Sequence, residues 1–177
     1  MNDLTIVFNA YYSEKSLLKV LTNLRGYKII IIENSLDKNI KYKIEKKYRN
    51  VKVIIPNQNL GVAKGYNLAI KHSKTKYVFL NNPDIKISRK TISHLLYCAK
   101  KIKNFGAISA VYDDEEMHKN YGSYEKKLIQ SKFLSKNKIS EIKLIDNNFI
   151  INKTKIKNNL FDEKYFLWFE TYDFCLN

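Results

Sequence analysis

The sequence predicts an α/β fold, with a mostly parallel central sheet flanked by helices on both faces, in a single domain spanning residues 1–177. Three observations carry this. The apolar runs at 4–8, 27–32, 51–55 and 77–80 are close to continuous, as in strands buried on both faces. The stretches between them repeat apolar residues at helical spacing. Strand and helix signals then alternate from residue 4 to residue 111, which calls for crossover helices between parallel strands.

The first strand is Leu4-Thr5-Ile6-Val7-Phe8. Ser13 offers an N-cap for a helix carried by Leu17, Leu18, Leu21 and Leu24, which Gly26 ends. A second strand runs from Tyr27 to Ile32, and a short helix is expected over Lys41 to Tyr48. The third strand, Val51 to Ile55, stops at Pro56. Beyond Gly61, residues Val62, Tyr66, Leu68, Ala69 and Ile70 support a helix leading to a fourth strand, Tyr77 to Leu80. Ser88 caps the next helix, which carries Ile92, Leu95, Leu96, Ala99 and Ile102, and a fifth strand covers Ala107 to Val111. The result is an open, Rossmann-like sheet. From Tyr112 to Lys138 the pattern fades into a surface loop, and short strands are expected again at 142–145 and 149–151. The last stretch, Leu160 to Leu176, is dense in aromatic and acidic residues.

Bulk properties exclude several classes. Cys98 and Cys175 stand far apart without C-x-x-C spacing, so the sequence signals neither a disulfide framework nor a zinc site. Asp3 and the polar run from Asn9 argue against a signal peptide, and no apolar segment approaches the ~20 residues of a membrane span. A cytoplasmic protein is expected. The net charge of +15 admits nucleic acid, anionic lipid or phosphorylated ligands, but the lysines are spread along the whole chain and do not form a local cluster. With no nucleic-acid motif present, such a partner is not expected, whereas peripheral contact with an anionic membrane surface is compatible with the charge.

In open α/β sheets, ligands bind at the carboxyl ends of the strands. The polar groups that follow the second, third and fourth strands are Glu33-Asn34-Ser35-Leu36-Asp37, Asn57-Gln58-Asn59-Leu60-Gly61 and Asn81-Asn82-Pro83-Asp84. All three fall along one crevice. Neither G-x-G-x-x-G nor G-x-x-x-x-G-K-[ST] occurs, which removes the dehydrogenase and P-loop readings.

The order of these segments resembles family 2 inverting glycosyltransferases of the GT-A fold, particularly the bacterial rhamnosyltransferase-like branch. The resemblance rests on Ile32-Glu33-Asn34-Ser35, Asn59-Leu60-Gly61-Val62-Ala63-Lys64-Gly65-Tyr66-Asn67, Leu80-Asn81-Asn82-Pro83-Asp84, Phe161-Asp162-Glu163 and Phe166-Leu167-Trp168-Phe169-Glu170-Thr171-Tyr172-Asp173. It implies a nucleotide-diphosphate sugar as donor and a glycan or lipid-linked acceptor, as in cell-surface polysaccharide synthesis. Residues 1–111 then bind the donor, and 112–177 form an acceptor and catalytic part that is short at its C-terminus. Asn82 and Asp84 take the first and last places of the family's D-x-D motif, so Asp84 is implied as the ligand of Mg²⁺ or Mn²⁺ against the diphosphate. Glu33 is implied to accept from the base, with Asn34 beside it. Asn59 and Gly61 form a turn whose open amides, at a helix start, suit the diphosphate. Lys64 and Asn67, three residues apart on that helix, line the donor.

An inverting transfer needs a general base for the attacking hydroxyl. The family shows two adjacent acidic residues and then Asp, whereas this chain reads Glu170-Thr171-Tyr172-Asp173. Glu170 is therefore the expected base, with Asp173 in reserve. Asp162, Glu163 and Trp168 are assigned to the acceptor, Trp168 by stacking on a sugar or by packing in the core. A donor-binding relative without turnover, motivated by Thr171, is the alternative. His72, His94 and His118 show no metal-ligand spacing.

Overall fold

A computed structural model describes residues 3–102, 104–110, 145, 148–156 and 161–176. They form strands β1 (Leu4–Ala10), β2 (Lys28–Glu33), β3 (Val51–Ile54), β4 (Tyr77–Asn81), β5 (Ala107–Ser109) and β6 (Phe149–Asn152). The helices are α1 (Glu14–Thr22), α2 (Lys38–Lys47), α3 (Gly61–His72), α4 (Arg89–Lys101) and α5 (Glu170–Leu176). The six strands form one sheet in the order β3-β2-β1-β4-β6-β5. β1 pairs in parallel with both β2 and β4, and β3 with β2, whereas β6 runs antiparallel to β4 and to β5. The sheet is thus mostly parallel, as expected.

Alternation within each strand serves two cores. Ile6, Phe8, Ile29, Ile31 and Phe79 face α1, α2 and α4. Val7, Ile30, Ile32, Val78 and Leu80 face α3 together with Ile156 and Phe161. Ile31, Ile32 and Phe79 are fully buried, each a gain of about 2 kcal/mol over an exposed side chain. A run of isoleucines with no polar break is the local signature of a strand packed on both sides.

Several boundaries differ from expectation for identifiable reasons. Ser88 caps α4, accepting the Thr91 amide at 2.9 Å. Ser13 precedes α1 but bonds back to the Tyr11 carbonyl, so it caps nothing. α2 begins earlier than Lys41 because Asp37 accepts the Asn39 amide at 2.7 Å. β5 ends at Ser109. Val111, the loop from 112, His118, the strand expected at 142–144 and Leu160 lie outside the described residues. Ile145 is buried but belongs to no strand. His72 and His94 are exposed on α3 and α4, as expected of solvated histidines. Among the described residues, no helix is long and apolar enough to cross a membrane.

Candidate functional site

β1, β2 and β4 run in the same direction, so their carboxyl ends share one edge, which the amino end of the antiparallel β6 joins. The predicted residues of the first two strand-end groups meet there through hydrogen bonds. Asn34 Nδ2 donates to Asn9 Oδ1 at 2.7 Å and its Oδ1 accepts the Leu60 amide at 3.0 Å. Asn9 Nδ2 donates to the Gly61 carbonyl at 2.9 Å. Asn59 Oδ1 accepts the Gly61 amide at 2.9 Å. Asn34 is therefore a buried tie between β1, β2 and the start of α3.

The same bonds change the reading of the helix start. The Leu60 and Gly61 amides are taken by Asn34 and Asn59, and the Val62 amide donates to the Phe166 carbonyl at 2.7 Å. These three N–H groups are not open to an anion, contrary to the expectation for this turn. The strap Phe166–Phe169 occupies that end of the helix instead. Gly61 has φ +70°, and a Cβ at this position would collide with the Phe166 carbonyl oxygen. Gly61→Ala is accordingly expected to destabilise the fold by about 2–3 kcal/mol, read as a lower denaturation midpoint in urea, since it combines left-handed strain with displacement of the strap.

Glu33 ends β2 and is fully buried. Its Oε1 accepts the Ser35 amide at 3.1 Å. Its Oε2, the Ser35 hydroxyl and Asn81 Oδ1 are buried and find no partner among the described residues. Each such orphan costs about 1–3 kcal/mol, so three at one sheet edge need a physical reason, and a ligand that supplies the missing partners is one. Backbone strain gathers at the same edge. All five described non-glycine residues with positive φ lie in its loops: Tyr12 after β1, Leu36 after β2, Asn148 before β6, and Trp168 and Phe169 in the strap.

Asn82 is pinned from two sides. Its Oδ1 accepts the Tyr66 hydroxyl at 3.0 Å, and its amide donates to Asn148 Oδ1 at 3.1 Å. Asp84, two residues on, is exposed, with no ion pair or side-chain hydrogen bond among the described residues. No group of three or more His, Cys, Asp or Glu capable of caging a metal occurs among those residues. A lone exposed carboxylate does fit Mg²⁺ or Mn²⁺, which are held by one or two carboxylates plus the phosphates of a substrate.

Asn67 is buried and its amide is spent inside the protein. Nδ2 donates to the Phe161 carbonyl at 2.8 Å and to Glu163 Oε1 at 3.2 Å, while Oδ1 accepts the Phe161 amide at 3.0 Å. It clasps the C-terminal segment to α3, and neither end is directed at a donor. Lys64 is half-buried and lines a groove along the outer side of α3. Asp162 accepts the Lys164 amide at 2.9 Å within a tight turn, and Glu163 is exposed. Trp168 is 70% exposed, so the core-packing alternative for it is removed.

Glu170 opens α5 and is buried, with Asp173 half-buried one turn later on the same side. Phe174 stacks on Phe149 (centroids 6.1 Å apart) and packs on Phe161 at 4.8 Å. Because Phe149 pairs with Leu80 at the end of β4, this packing sets α5 beside the strand that carries Asn82 and Asp84. Sequence reasoning missed Asn9, Tyr66, Asn148 and the Phe166 carbonyl. Asn9 was within reach, as the polar residue that interrupts the first apolar run.

The sequence profile described as Glycosyl transferase family 2 matches residues 4–168. No curated protein sequence matches the chain. Among solved structures, the mannosyltransferase PcManGT from Pyrobaculum calidifontis, in complex with GDP-Man and Mn²⁺, superposes with a TM-score of 0.69 at 11% identity, covering 91% of this chain and 48% of that one. Residues 1–349 of S. aureus TarS give a TM-score of 0.69 at 17% identity, covering 97% of this chain and 54% of that one. The same fragment in complex with UDP-GlcNAc gives 0.64 at 18% identity, with 90% and 48% covered. This chain therefore spans about half the length of each, and at these identities the likeness establishes the GT-A fold alone. Since the profile match runs from the first residue of β1 into the aromatic strap, the chain belongs to glycosyl transferase family 2.

Proposed function

We propose that this chain carries the donor site of an inverting, metal-assisted glycosyltransferase that moves a hexose or deoxyhexose from a nucleotide-diphosphate sugar to a glycan or lipid-linked acceptor, as in cell-surface polysaccharide synthesis. The observation that carries the reading is the sheet edge itself. Among the described residues, three orphaned buried polar atoms and five strained residues lie at the same sheet edge as the Asn82-Pro83-Asp84 turn, whose Asn82 is held from two sides. Family membership and solved relatives described with GDP-Man and UDP-GlcNAc support a nucleotide-sugar as the ligand.

In this reading Glu33 Oε2 accepts from the nucleotide base, and Asn82 lies near the ribose. Asp84 holds Mg²⁺ or Mn²⁺, which when bound neutralises charge on the departing diphosphate. Asn34, Asn59, Gly61 and Asn67 act by holding α3 and the C-terminal segment in place, and Lys64 contributes charge at the rim. The acceptor hydroxyl attacks the anomeric carbon from the face opposite the diphosphate, its proton passes to Glu170, and the carbon–oxygen bond to the diphosphate breaks with inversion. Trp168 presents a face to the acceptor sugar, and Asp162 and Glu163 set the turn beside it. The enzyme works in the cytoplasm, where its charge of +15 favours peripheral contact with the anionic inner membrane face.

One specific observation favours a second reading, donor binding without turnover. Thr171, which is buried, stands where the family places an acid. A panel of UDP-, GDP- and dTDP-sugars with and without Mn²⁺ tests both, with melting temperature and free nucleoside diphosphate as readouts. The enzyme gives stabilisation and release with at least one donor. Stabilisation without release indicates binding only. No response to any nucleotide overturns both readings.

A further inference from the structure

α3 presents three different stripes to its surroundings. Ala63, Tyr66 and Ala69 pack in the core, and Gly61 and Gly65 abut the Phe166 carbonyl and the Asn9 side chain. The third stripe, Lys64, Leu68 and Lys71, faces outward and forms one wall of a groove of about 570 Å³. The opposite wall is built by Lys153, Ile156 and Glu163. This volume lies within the range of small-molecule sites, which are about 300–1,000 Å³ and are largely apolar with a few convergent polar groups.

The charges of the groove are out of balance. Lys64, Lys71 and Lys153 stand against Glu163 alone, an excess of two positive charges. None of the three lysines forms an ion pair among the described residues, and Glu163 accepts from the Asn67 amide. Lys153 Nζ donates to the Ser73 carbonyl at 2.6 Å, which among the described residues leaves two of its three N–H donors for another acceptor. Burial lowers the Lys153 pKa from its usual value. An anion beside it would offset that penalty on its charged form. The apolar surface of the groove is supplied by Leu60, Leu68, Ile70 and Ile156.

We propose that this groove is a second ligand site, separate from the sheet-edge site, and that it takes a phosphomonoester carried on a short apolar body. A phosphomonoester carries nearly two negative charges at neutral pH and matches the excess of the groove, whereas a carboxylate supplies only one. Lysines suit such a head because they act as point charges toward phosphate. The apolar surface gives the rest of the ligand its place. Of the charged residues of the groove, Lys64 and Glu163 also serve the donor and acceptor reading, whereas Lys71 and Lys153 do not, so variants of these two test the groove apart from that reading.

The test uses hexyl phosphate, inorganic phosphate and hexanol as probes, each titrated calorimetrically into the chain with and without saturating UDP or GDP and Mn²⁺. The expected result is that hexyl phosphate binds more tightly than either of its parts and that neither nucleotide displaces it. Lys71→Glu, at an exposed position that does not threaten folding, is expected to weaken binding about fivefold, and Lys153→Gln should weaken it in the same direction. Displacement by nucleotide would overturn the proposal by making the groove part of the donor site. Equal affinity for inorganic phosphate, or unchanged affinity in both variants, would overturn it as well. Vesicles with and without phosphatidic acid identify the source of the phosphate once hexyl phosphate binds. Retention that Lys71→Glu abolishes assigns the phosphate to a lipid headgroup, and no retention assigns it to a soluble ester.

Discussion

Glu170→Gln is expected to lower nucleotide release from the preferred donor about a thousandfold while leaving donor-induced stabilisation intact. The magnitude is that of removing a positioned general base, typically 10²–10⁴-fold. Glutamine keeps the shape and the hydrogen-bonding reach of the side chain but cannot take the proton of the attacking hydroxyl. Glu170 is buried at the first position of α5, and Thr171 beside it is buried too and has no carboxylate to lend. The nearest replacement along the helix is Asp173, half-buried one turn on. Asp173→Asn is the companion variant. Loss in Asp173→Asn with full activity in Glu170→Gln would move the base to Asp173. Because Glu170 is buried, each variant is also compared with the wild type by its urea midpoint, which separates lost chemistry from lost fold.

The parts of the fold that were legible in the sequence are those fixed by local chemistry. Tyr27 to Ile32 reads as a strand because almost every side chain in it is apolar, and its short length and β-branched isoleucines fit a strand buried on both faces. α2 was harder: it buries only Ile40 and Ile44, so its period is weak, and its true start depends on Asp37 acting as a cap where a ligand loop was expected. The antiparallel insertion of β6 between β4 and β5 had no local signature, because pairing partners far apart in sequence decide it.

The same division runs through the site. Glu33, Asn34, Asn82 and Asp84 were singled out by asking which polar residues follow each strand. What they bond to was not visible. Asn67 looked like a ligand residue on a helix face, but it is committed to Phe161, 94 residues away. Asn59 looked like part of a turn with open amides and Asn34 like a companion of Glu33 at the base, and they are the groups that close those amides. Side-chain amides carry both donors and acceptors, so sequence alone does not reveal whether a ligand or the chain itself satisfies them.

Asp84 differs from those amides, and its replacement is the clearest experiment on the metal. Asp84→Ala is expected to abolish the Mn²⁺-dependent part of donor stabilisation and to cut nucleotide release by about two to three orders of magnitude, consistent with the several kcal/mol a metal contributes at a departing phosphate. The turn that carries it is rigid on its own terms. Pro83 fixes its own φ and keeps Asn82 extended, while Tyr66 and Asn148 hold Asn82 in place. Asp84 itself is exposed and makes no side-chain bond among the described residues, so its loss should change stability by no more than about 0.5 kcal/mol. A large loss of function without loss of stability therefore isolates the carboxylate as the reason. Tyr66→Phe supplies the graded control, since it removes the 3.0 Å bond to Asn82 and leaves the carboxylate present. It should weaken donor binding modestly and keep the Mn²⁺ dependence. Should Asp84→Ala retain full Mn²⁺ dependence, the metal is held by other residues, and the Asn82-Pro83-Asp84 turn is reduced to a structural corner at the end of β4.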